Sequence, residues 1–279
     1  RITTRGEKSA LERICDAITS VWPEDETVRA IGMAAAGPTD PYLGIVKAAP
    51  NIEGWIDVPL KAYIENTFHV PTLVGNDANL AALGEWQFGA GRGHHHLIYL
   101  TVSTGIGGGV ICADRLLLGI EGMAAELGHI TVEPDGPLCG CGQRGHIEAF
   151  SSGTGIANFV AAEIAKGTPC SIGSTPVNER LVAEAAQQGD PLCQQAFARA
   201  GYYLGIMLAN LLHIFNPTLI ILGGGVINSG DLIMLPTLKS LNERVLSPHY
   251  LDRFQIAKAA LGDSVGLMGA LALARSYQD

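Results

Sequence analysis

Two cysteines and two histidines in one short stretch are the residues best suited to bind a metal ion. His129, Cys139, Cys141 and His146 supply two thiolates and two imidazoles, which form a complete tetrahedral ligand set for Zn²⁺. The glycines between them allow a short loop to wrap around an ion. A closed set of four protein ligands is typical of a structural zinc ion. The alternative interpretation is two free thiols and two unrelated histidines.

Asp77 is the best candidate for acid–base chemistry. It follows an apolar strand-like run, residues 72–75, and precedes the Ala- and Leu-rich helical segment Ala78–Phe88. Ligands of α/β proteins bind at the carboxyl ends of strands, where a carboxylate can accept the proton of a hydroxyl during phosphoryl transfer. The local sequence supports equally well the alternative that Asp77 only caps the helix.

Further polar residues and glycines could complete a binding site. If zinc folds the loop, Glu126, His129 and Glu148 converge on one spot, which is a plausible pocket for a polyhydroxylated ligand; each acid alone would be an ordinary surface residue. Gly105–Gly109 and Gly223–Gly225 each follow a strand-like run, and bare backbone N–H groups there can approach phosphate. Neither matches the Walker A or dinucleotide-binding pattern.

The elements that must position these residues alternate between strands and helices. The chain has 279 residues, of which 35 are glycines, and its length predicts about two domains. We expect residues 1–96 to form a small α/β lobe to which 262–279 return, and 97–261 a large lobe with the zinc loop. Periodicity predicts helices near 10–21, 78–88, 154–166, 178–188, 191–215 and 264–276, and strands near 28–36, 72–75, 97–102, 110–112, 218–222 and 254–257, with Gly105–Gly109 as a turn.

Composition narrows the class of protein. The net charge is −9 and no Lys- or Arg-rich run occurs, which makes nucleic acid an unlikely partner. No apolar run is long enough to span a membrane, and Arg1–Arg5 do not begin a signal peptide, so a cytoplasmic location is expected. The 47% hydrophobic content fits a homo-oligomer, a dimer or tetramer, and fits a large core equally well.

Taken together, these residues resemble the ROK family, the bacterial repressor and sugar-kinase group of the hexokinase/actin-like superfamily. The resemblance covers nearly the whole chain and is most specific in the cysteine run. The motifs that carry it are Gly75-Asn76-Asp77-Ala78-Asn79, Thr104-Gly105-Ile106-Gly107-Gly108, Glu126-Leu127-Gly128-His129, Cys139-Gly140-Cys141-Gly142-Gln143-Arg144-Gly145 with Glu148, Leu222-Gly223-Gly224-Gly225 and Asp263-Ser264-Val265-Gly266-Leu267.

The resemblance implies an actin-like, ribonuclease H-like α/β fold and a kinase that moves the γ-phosphoryl of ATP to the 6-hydroxyl of a hexose. Asp77 would be the general base, and Mg²⁺ would accompany the nucleotide. The expected sugar-binding residues are Asn51, Asn76, Asp77, Glu126, His129 and Glu148. The expected nucleotide-binding residues are Thr104, Gly105, Gly107 and Gly108 at the phosphates, and Gly223, Gly224 and Gly225 at the adenosine.

The resemblance leaves the substrate and the branch of the family open. Residues 50–55, followed by Val58-Pro59-Leu60, look most like the glucokinase members, which favours glucose; N-acetylmannosamine, N-acetylglucosamine, mannose and fructose are alternatives. A sugar-sensing transcriptional repressor is the alternative class. A third interpretation is a non-catalytic sugar-binding module, which would not need Asp77.

The chain departs from the family pattern in two places. Most members carry cysteine where this chain has His146, so the zinc set would be Cys₂His₂, which is chemically sound. Members also open with a hairpin that bears an Asp-x-Gly-Gly-Thr phosphate loop, and that motif does not occur here. We therefore expect this chain by itself to bind ATP poorly; an ATP affinity equal to that of an extended chain would contradict this expectation.

Overall fold

A computed structural model describes residues 8–49, 52–173 and 176–278 of the chain. The helices are α1 Ala10–Ser20, α2 Leu60–Phe68, α3 Asp77–Phe88, α4 Glu148–Ser151, α5 Gly153–Ala165, α6 Glu179–Gln187, α7 Pro191–Phe215, α8 Asp231–Asn242 and α9 Val265–Arg275. The strands are β1 Ile31–Ala35, β2 Thr39–Asp40, β3 Ile45–Ala48, β4 Ile56–Val58, β5 Thr72–Asn76, β6 His96–Val102, β7 Ile106–Cys112, β8 Arg115–Leu116, β9 Leu219–Gly223 and β10 Gln255–Lys258. Strands and helices are mixed along these residues, but they alternate strictly only from β4 to β6 and from α7 to α9; β1–β4, β6–β8 and α4–α7 are runs of one type.

Side-chain caps fix the helix boundaries. Ser9 and Glu12 form a capping box at α1. The Ser9 hydroxyl accepts the backbone N–H of Glu12, and the Glu12 carboxylate accepts the backbone N–H of Ser9. Asp190 accepts the N–H of Cys193 and Pro191 occupies the first turn, so α7 begins where the sequence predicts. Asn216, in the left-handed conformation, ends α7 before Pro217.

The strands form three sheets. β1 and β5 pair in parallel, with Ile31 opposite Thr72. β2, β3 and β4 form an antiparallel sheet, and a five-stranded sheet has the order β10-β9-β6-β7-β8, in which β10, β9 and β6 are mutually parallel and β7 and β8 are antiparallel additions. This mixed architecture confirms the α/β class. The short strands β2–β4 and β8 and the helices α2, α4 and α8 were not predicted.

Two clusters of buried side chains make up most of the core. The larger one surrounds α7, whose fully buried Leu204 and Leu208 belong to the same cluster as Ile98 on β6 and Ile220 on β9. The smaller one contains Val46, Leu60, Ile64 and Val74, with the apolar face of α1 against it. Within the described ranges, no helix combines the length and the apolar character that crossing a membrane requires.

The glycines after Thr104 are mostly strand residues, so the predicted turn Gly105–Gly109 is wrong in part. Gly107, Gly108 and Gly109 pair with Thr101, Leu100 and Tyr99 in the β6–β7 hairpin. A Cβ atom on Gly109 would lie 2.6 Å from the Cβ of Ala82 on α3. The glycines are therefore required because α3 lies directly against β7, and the turn itself is confined to the residues around Ser103–Gly105.

Helix α3 also crosses α9, and the contact brings the last helix back to the first lobe. A Cβ on Gly269 would lie 1.9 Å from the carbonyl oxygen of Leu80, whereas one on Gly266 would meet nothing within 4 Å. At the end of α3, the fully buried carboxylate of Glu85 accepts the N–H groups of Ala90, Ala260 and Leu261, at 2.8, 2.9 and 2.9 Å. Glu85 thus joins the segment after α3 to the segment between β10 and α9.

We expect Gly269→Ala to destabilise the protein by about 1–3 kcal/mol, because the added methyl group overlaps a backbone carbonyl that cannot move alone. Gly266→Ala, three residues earlier in the same helix, is the matched control. It should be neutral or stabilising by up to about 1 kcal/mol, since alanine favours helix and the site is open. Urea unfolding of the two variants checks this; equal stability would contradict the close helix crossing.

Candidate active site and metal centre

The predicted catalytic and sugar-binding residues line one cleft of about 850 Å³. Its walls come from the ends of β1 and β5, from the start of β7, from the segment Met123–His129 and from the N-terminus of α9. The predicted residues that line it are Asn76, Asp77, Glu126, His129, Glu148, Thr104, Gly105, Gly107 and Gly108. Asn51 lies outside the residues that the structure describes.

Asn76 caps α3, and this leaves Asp77 free for another role. The Asn76 Oδ1 accepts the N–H groups of Ala78 and Asn79, at 3.0 and 3.1 Å, and its Nδ2 donates to the carbonyl oxygen of Gly37 at 3.1 Å. The alternative that Asp77 is the N-cap is therefore wrong. Asp77 is the first residue of α3, and one of its oxygens accepts the N–H of Ala78 at 2.8 Å.

The environment of Asp77 suits a proton acceptor. Partial desolvation by the cleft wall raises the pKa of the Asp77 carboxyl above its ordinary value, and hydrogen bonds from the backbone oppose this rise only in part. A raised pKa makes the carboxylate a stronger base than an ordinary aspartate. The side chain remains accessible to the cleft.

Glu148 connects the cleft to the cysteine-containing loop. Its Oε2 accepts the N–H of Ile106 at 2.9 Å, and the Cys139 thiol donates to its Oε1 at 3.4 Å. A Cβ on Gly105 would lie 2.6 Å from Oε2, so a larger residue at this position would displace the Glu148 carboxylate. Movement of the loop would therefore be transmitted to a carboxylate that lines the cleft.

The four predicted metal ligands come together. The donor atoms of His129, Cys139, Cys141 and His146 all lie within 4.8 Å of one another. The Cys139 Sγ is 3.8 Å from His129 Nδ1, and the Cys141 Sγ is 3.3 Å from His146 Nδ1. Tetrahedral zinc with ordinary bond lengths places sulfur and nitrogen ligands about 3.6 Å apart. The donor set is therefore consistent with a zinc ion.

The loop backbone and the protonation of Cys139 agree with this fit. Gly145 has φ +76°, and a Cβ there would lie 1.7 Å from the carbonyl oxygen of Glu133, so the loop can close only around glycine. Burial raises the pKa of the Cys139 thiol, which therefore stays protonated unless a cation compensates the thiolate charge. The buried thiol is thus placed where a bound metal would ionise it.

A second pocket, of about 310 Å³, adjoins the cleft at Ser103 and Thr104, which line both. Gly225 lines this pocket, as predicted for an adenosine site, whereas Gly223 is the last residue of β9 and Gly224 lies against the backbone of Val102. Gly223 and Gly224 therefore adjoin this pocket in sequence but do not line it. The other lining residues are Gly153, Thr154, Ala157, Asn158, Val177, Asn178, Glu179 and Val226.

Sequence reasoning missed the polar side chains of this second pocket. Thr154 and Asn158 are one turn apart on α5, Asn178 caps α6, and Glu179 accepts the hydroxyl of Ser229 at 3.3 Å. The i, i+4 spacing of Thr154 and Asn158 was the one local signal. The rest are brought together only by the packing of distant segments.

Comparison with known proteins assigns the architecture and then the family. A ROK hexokinase from Thermus thermophilus superposes with a TM-score of 0.86 at 34% identity, covering 99% of this chain and 90% of that one. A ROK family glucokinase from Streptomyces griseus, solved in complex with glucose and AMPPNP, gives a TM-score of 0.78 at 38% identity, covering 96% and 88%. The chain therefore has the two-lobed α/β fold of the actin-like class, as expected.

Sequence comparison is equally specific. The chain is 34% identical to a glucokinase from Thermotoga maritima over 277 residues, which cover 98% of this chain and 87% of the relative. The model of the ROK family matches residues 2–277. This chain belongs to the ROK family.

Proposed function

We propose that the chain is an ATP-dependent hexose kinase that transfers the γ-phosphoryl group of ATP to the 6-hydroxyl of glucose. The observation that carries this proposal is the position of Asp77, a carboxylate with a raised pKa, in the same cleft as Glu126, His129 and Glu148 and close to the second pocket. The similarity to the glucokinases from T. maritima and S. griseus supports it.

Each residue has a defined part in this reaction. Carboxylates of Glu126 and Glu148 and the free ring nitrogen of His129 would bind sugar hydroxyls and orient the ring. Asp77 would accept the proton of the attacking hydroxyl as its oxygen bonds to phosphorus. Ser103 and Thr104 lie where the two pockets meet, which is where the transferred group must pass. Mg²⁺ would accompany the nucleotide and neutralise phosphate charge.

The metal centre would have a structural role. His129, Cys139, Cys141 and His146 would hold Zn²⁺ and leave no open ligand position for chemistry. His129 Nδ1 faces Cys139, so the other ring nitrogen is available to a sugar hydroxyl. Bound zinc would fix the position of His129, and it would ionise Cys139, whose thiolate could no longer donate to Glu148.

As the pH is lowered, kcat/KM for phosphorylation should begin to fall at a higher pH than the ordinary pKa of an aspartate would give. The unprotonated Asp77 accepts the proton, so kcat/KM falls as the pH is lowered through its pKa, and burial raises that pKa. Initial rates at saturating MgATP across the acid range would check this, with circular dichroism showing that the fold persists. A flat profile down to the pH of unfolding would contradict the assignment.

Glucose is the proposed substrate, and a competition series distinguishes it from the alternatives. We expect the highest kcat/KM for glucose, with mannose, fructose, N-acetylglucosamine and N-acetylmannosamine as comparisons in the same assay. The repressor and sugar-binding alternatives need a sugar site but no proton acceptor. Sugar binding without any MgATP-dependent turnover would favour them over the kinase.

The lobe boundaries and the assembly also belong to this proposal. The division into residues 1–96 with 262–279 and residues 97–261 is supported by α9, which packs on β1 and α3.

A homo-oligomer is supported by exposed apolar side chains on and beyond α7 and α8, including Ile214, Leu235 and Leu246, which are 66%, 61% and 80% exposed. Light scattering would measure the mass in solution.

A further inference from the structure

A pair of cysteines far from the zinc ligands is in direct contact. The sulfur atoms of Cys170 and Cys193 are 3.7 Å apart, and both are free thiols. Cys193 is fully buried in the first turn of α7, whereas Cys170 is partly exposed in the irregular segment that follows α5. Neither residue lines the active-site cleft, and the proposed kinase reaction uses neither.

Asp190 holds the two thiols together. Its Oδ1 accepts the N–H of Cys193 at 2.9 Å, and its Oδ2 accepts the N–H of Ser171, the residue after Cys170, at 2.7 Å. One carboxylate therefore joins the segment that carries Cys170 to the helix that carries Cys193. The Asp190 carboxylate is itself buried, with 9% of the residue's surface exposed, so these hydrogen bonds are part of the packed interior.

We propose that Cys170 and Cys193 are a redox modification site that forms an intramolecular disulfide when the protein meets a peroxide. A disulfide needs the sulfur atoms about 2.05 Å apart. Cys170 must therefore move closer by roughly 1.7 Å, and it lies outside regular structure, so the movement does not disturb α7.

Exposure sets the order of the two steps. The sulfur of Cys170, which peroxide can reach, attacks one peroxide oxygen; the S–O bond forms, the O–O bond breaks, and water leaves. The sulfur of Cys193 then attacks the sulfenic acid; the S–S bond forms, the S–O bond breaks, and the departing hydroxide leaves as water with the Cys193 proton. Two thiols and one hydrogen peroxide thus become one disulfide and two waters, with two electrons passing to the peroxide.

A metal ion is the competing occupant of this cluster. Cys170, Asp190 and Cys193 place three donor atoms within 4.8 Å of one another. A closed structural site takes four ligands, however, and both oxygens of Asp190 already accept backbone N–H groups. The cluster therefore favours the disulfide over a metal ion.

The test is to treat the reduced protein with hydrogen peroxide, alkylate the remaining thiols and map the peptides by mass spectrometry. We expect a linked Cys170–Cys193 peptide, the loss of two free thiols, and reversal by dithiothreitol. Because the bond would join residues 23 positions apart, the unfolding midpoint of the cross-linked protein should rise by roughly 5–10 °C.

Matched variants make the result specific. Cys170→Ser changes the partly exposed thiol and should abolish the linked peptide, whereas Cys112→Ser, which changes an exposed cysteine on β7, should leave it unchanged. Overoxidation of Cys170 with Cys193 still reduced would overturn the proposal. So would a bound metal ion, measured by elemental analysis, that Cys170→Ser loses and Cys112→Ser keeps.

Discussion

Replacing Asp77 by asparagine is expected to lower kcat for glucose phosphorylation by about 10²–10⁴-fold while the Kd for glucose changes by less than about twofold. Asparagine keeps the size of the side chain and an oxygen that can accept the N–H of Ala78, so the start of α3 is preserved. What is lost is the ability to accept a proton, which matters only as the hydroxyl attacks. Initial rates and glucose titration calorimetry measure the two quantities.

Asp231→Asn is the matched control for this experiment. Asp231, like Asp77, is the first residue of a helix and is exposed, but it does not line the cleft. Its replacement should leave kcat and glucose affinity unchanged. If Asp77→Asn weakened glucose binding and kcat to the same extent, Asp77 would be a binding residue and the proposed general base would have to be sought elsewhere.

The second large effect is expected from the metal centre. Cys141→Ser should remove the zinc ion and weaken glucose binding by roughly 10–100-fold, because His129 loses the constraint on its position. Cys141 is exposed, contacts His146 and does not line the cleft, so its replacement acts on the cleft only through the metal centre. Elemental analysis and glucose titration of the same preparation measure both losses.

Cys112→Ser controls for the loss of an exposed thiol as such, and it should retain both zinc and sugar affinity. Adding Zn²⁺ to chelator-treated wild-type protein should restore glucose binding. Full glucose affinity in zinc-free protein would contradict the coupling between the metal centre and the cleft, while leaving the role of Asp77 untouched.

Local patterns in the sequence were sufficient to predict most of the long helices, α8 excepted, and to single out residues that the structure places in one cleft or one cluster. α7 has a capping aspartate, a proline in its first turn and a stop before Pro217, so three independent signals fix its bounds. The four candidate metal ligands are close in sequence, and the chemistry of sulfur and imidazole singles them out with little help from the fold. Asp77 was found because it follows an apolar strand.

The parts that were missed depend on contacts between distant residues. Gly107–Gly109 look like a turn by composition, but they are strand residues whose missing side chains make room for α3. The distinction between Asn76 and Asp77 as N-cap depends on which side chain turns back to the helix, and their order in the sequence does not reveal it. The second pocket needs residues from α5, α6 and the segment after β9, which no local pattern connects.

The contacts of Glu85 bear on the order in which the chain can fold as it is synthesised. Its partner Ala260 lies 175 residues later, and until that segment leaves the ribosome two N–H bonds to this carboxylate are missing. The surface of β1 at Gly32 likewise stays uncovered until Ala270 on α9 arrives. The packing of β1 and α3 against α9 is therefore completed late, although β1 and α3 are translated early. Because Val265 and Gly266 of α9 line the cleft, a growing chain carries Asp77 long before it carries a finished cleft.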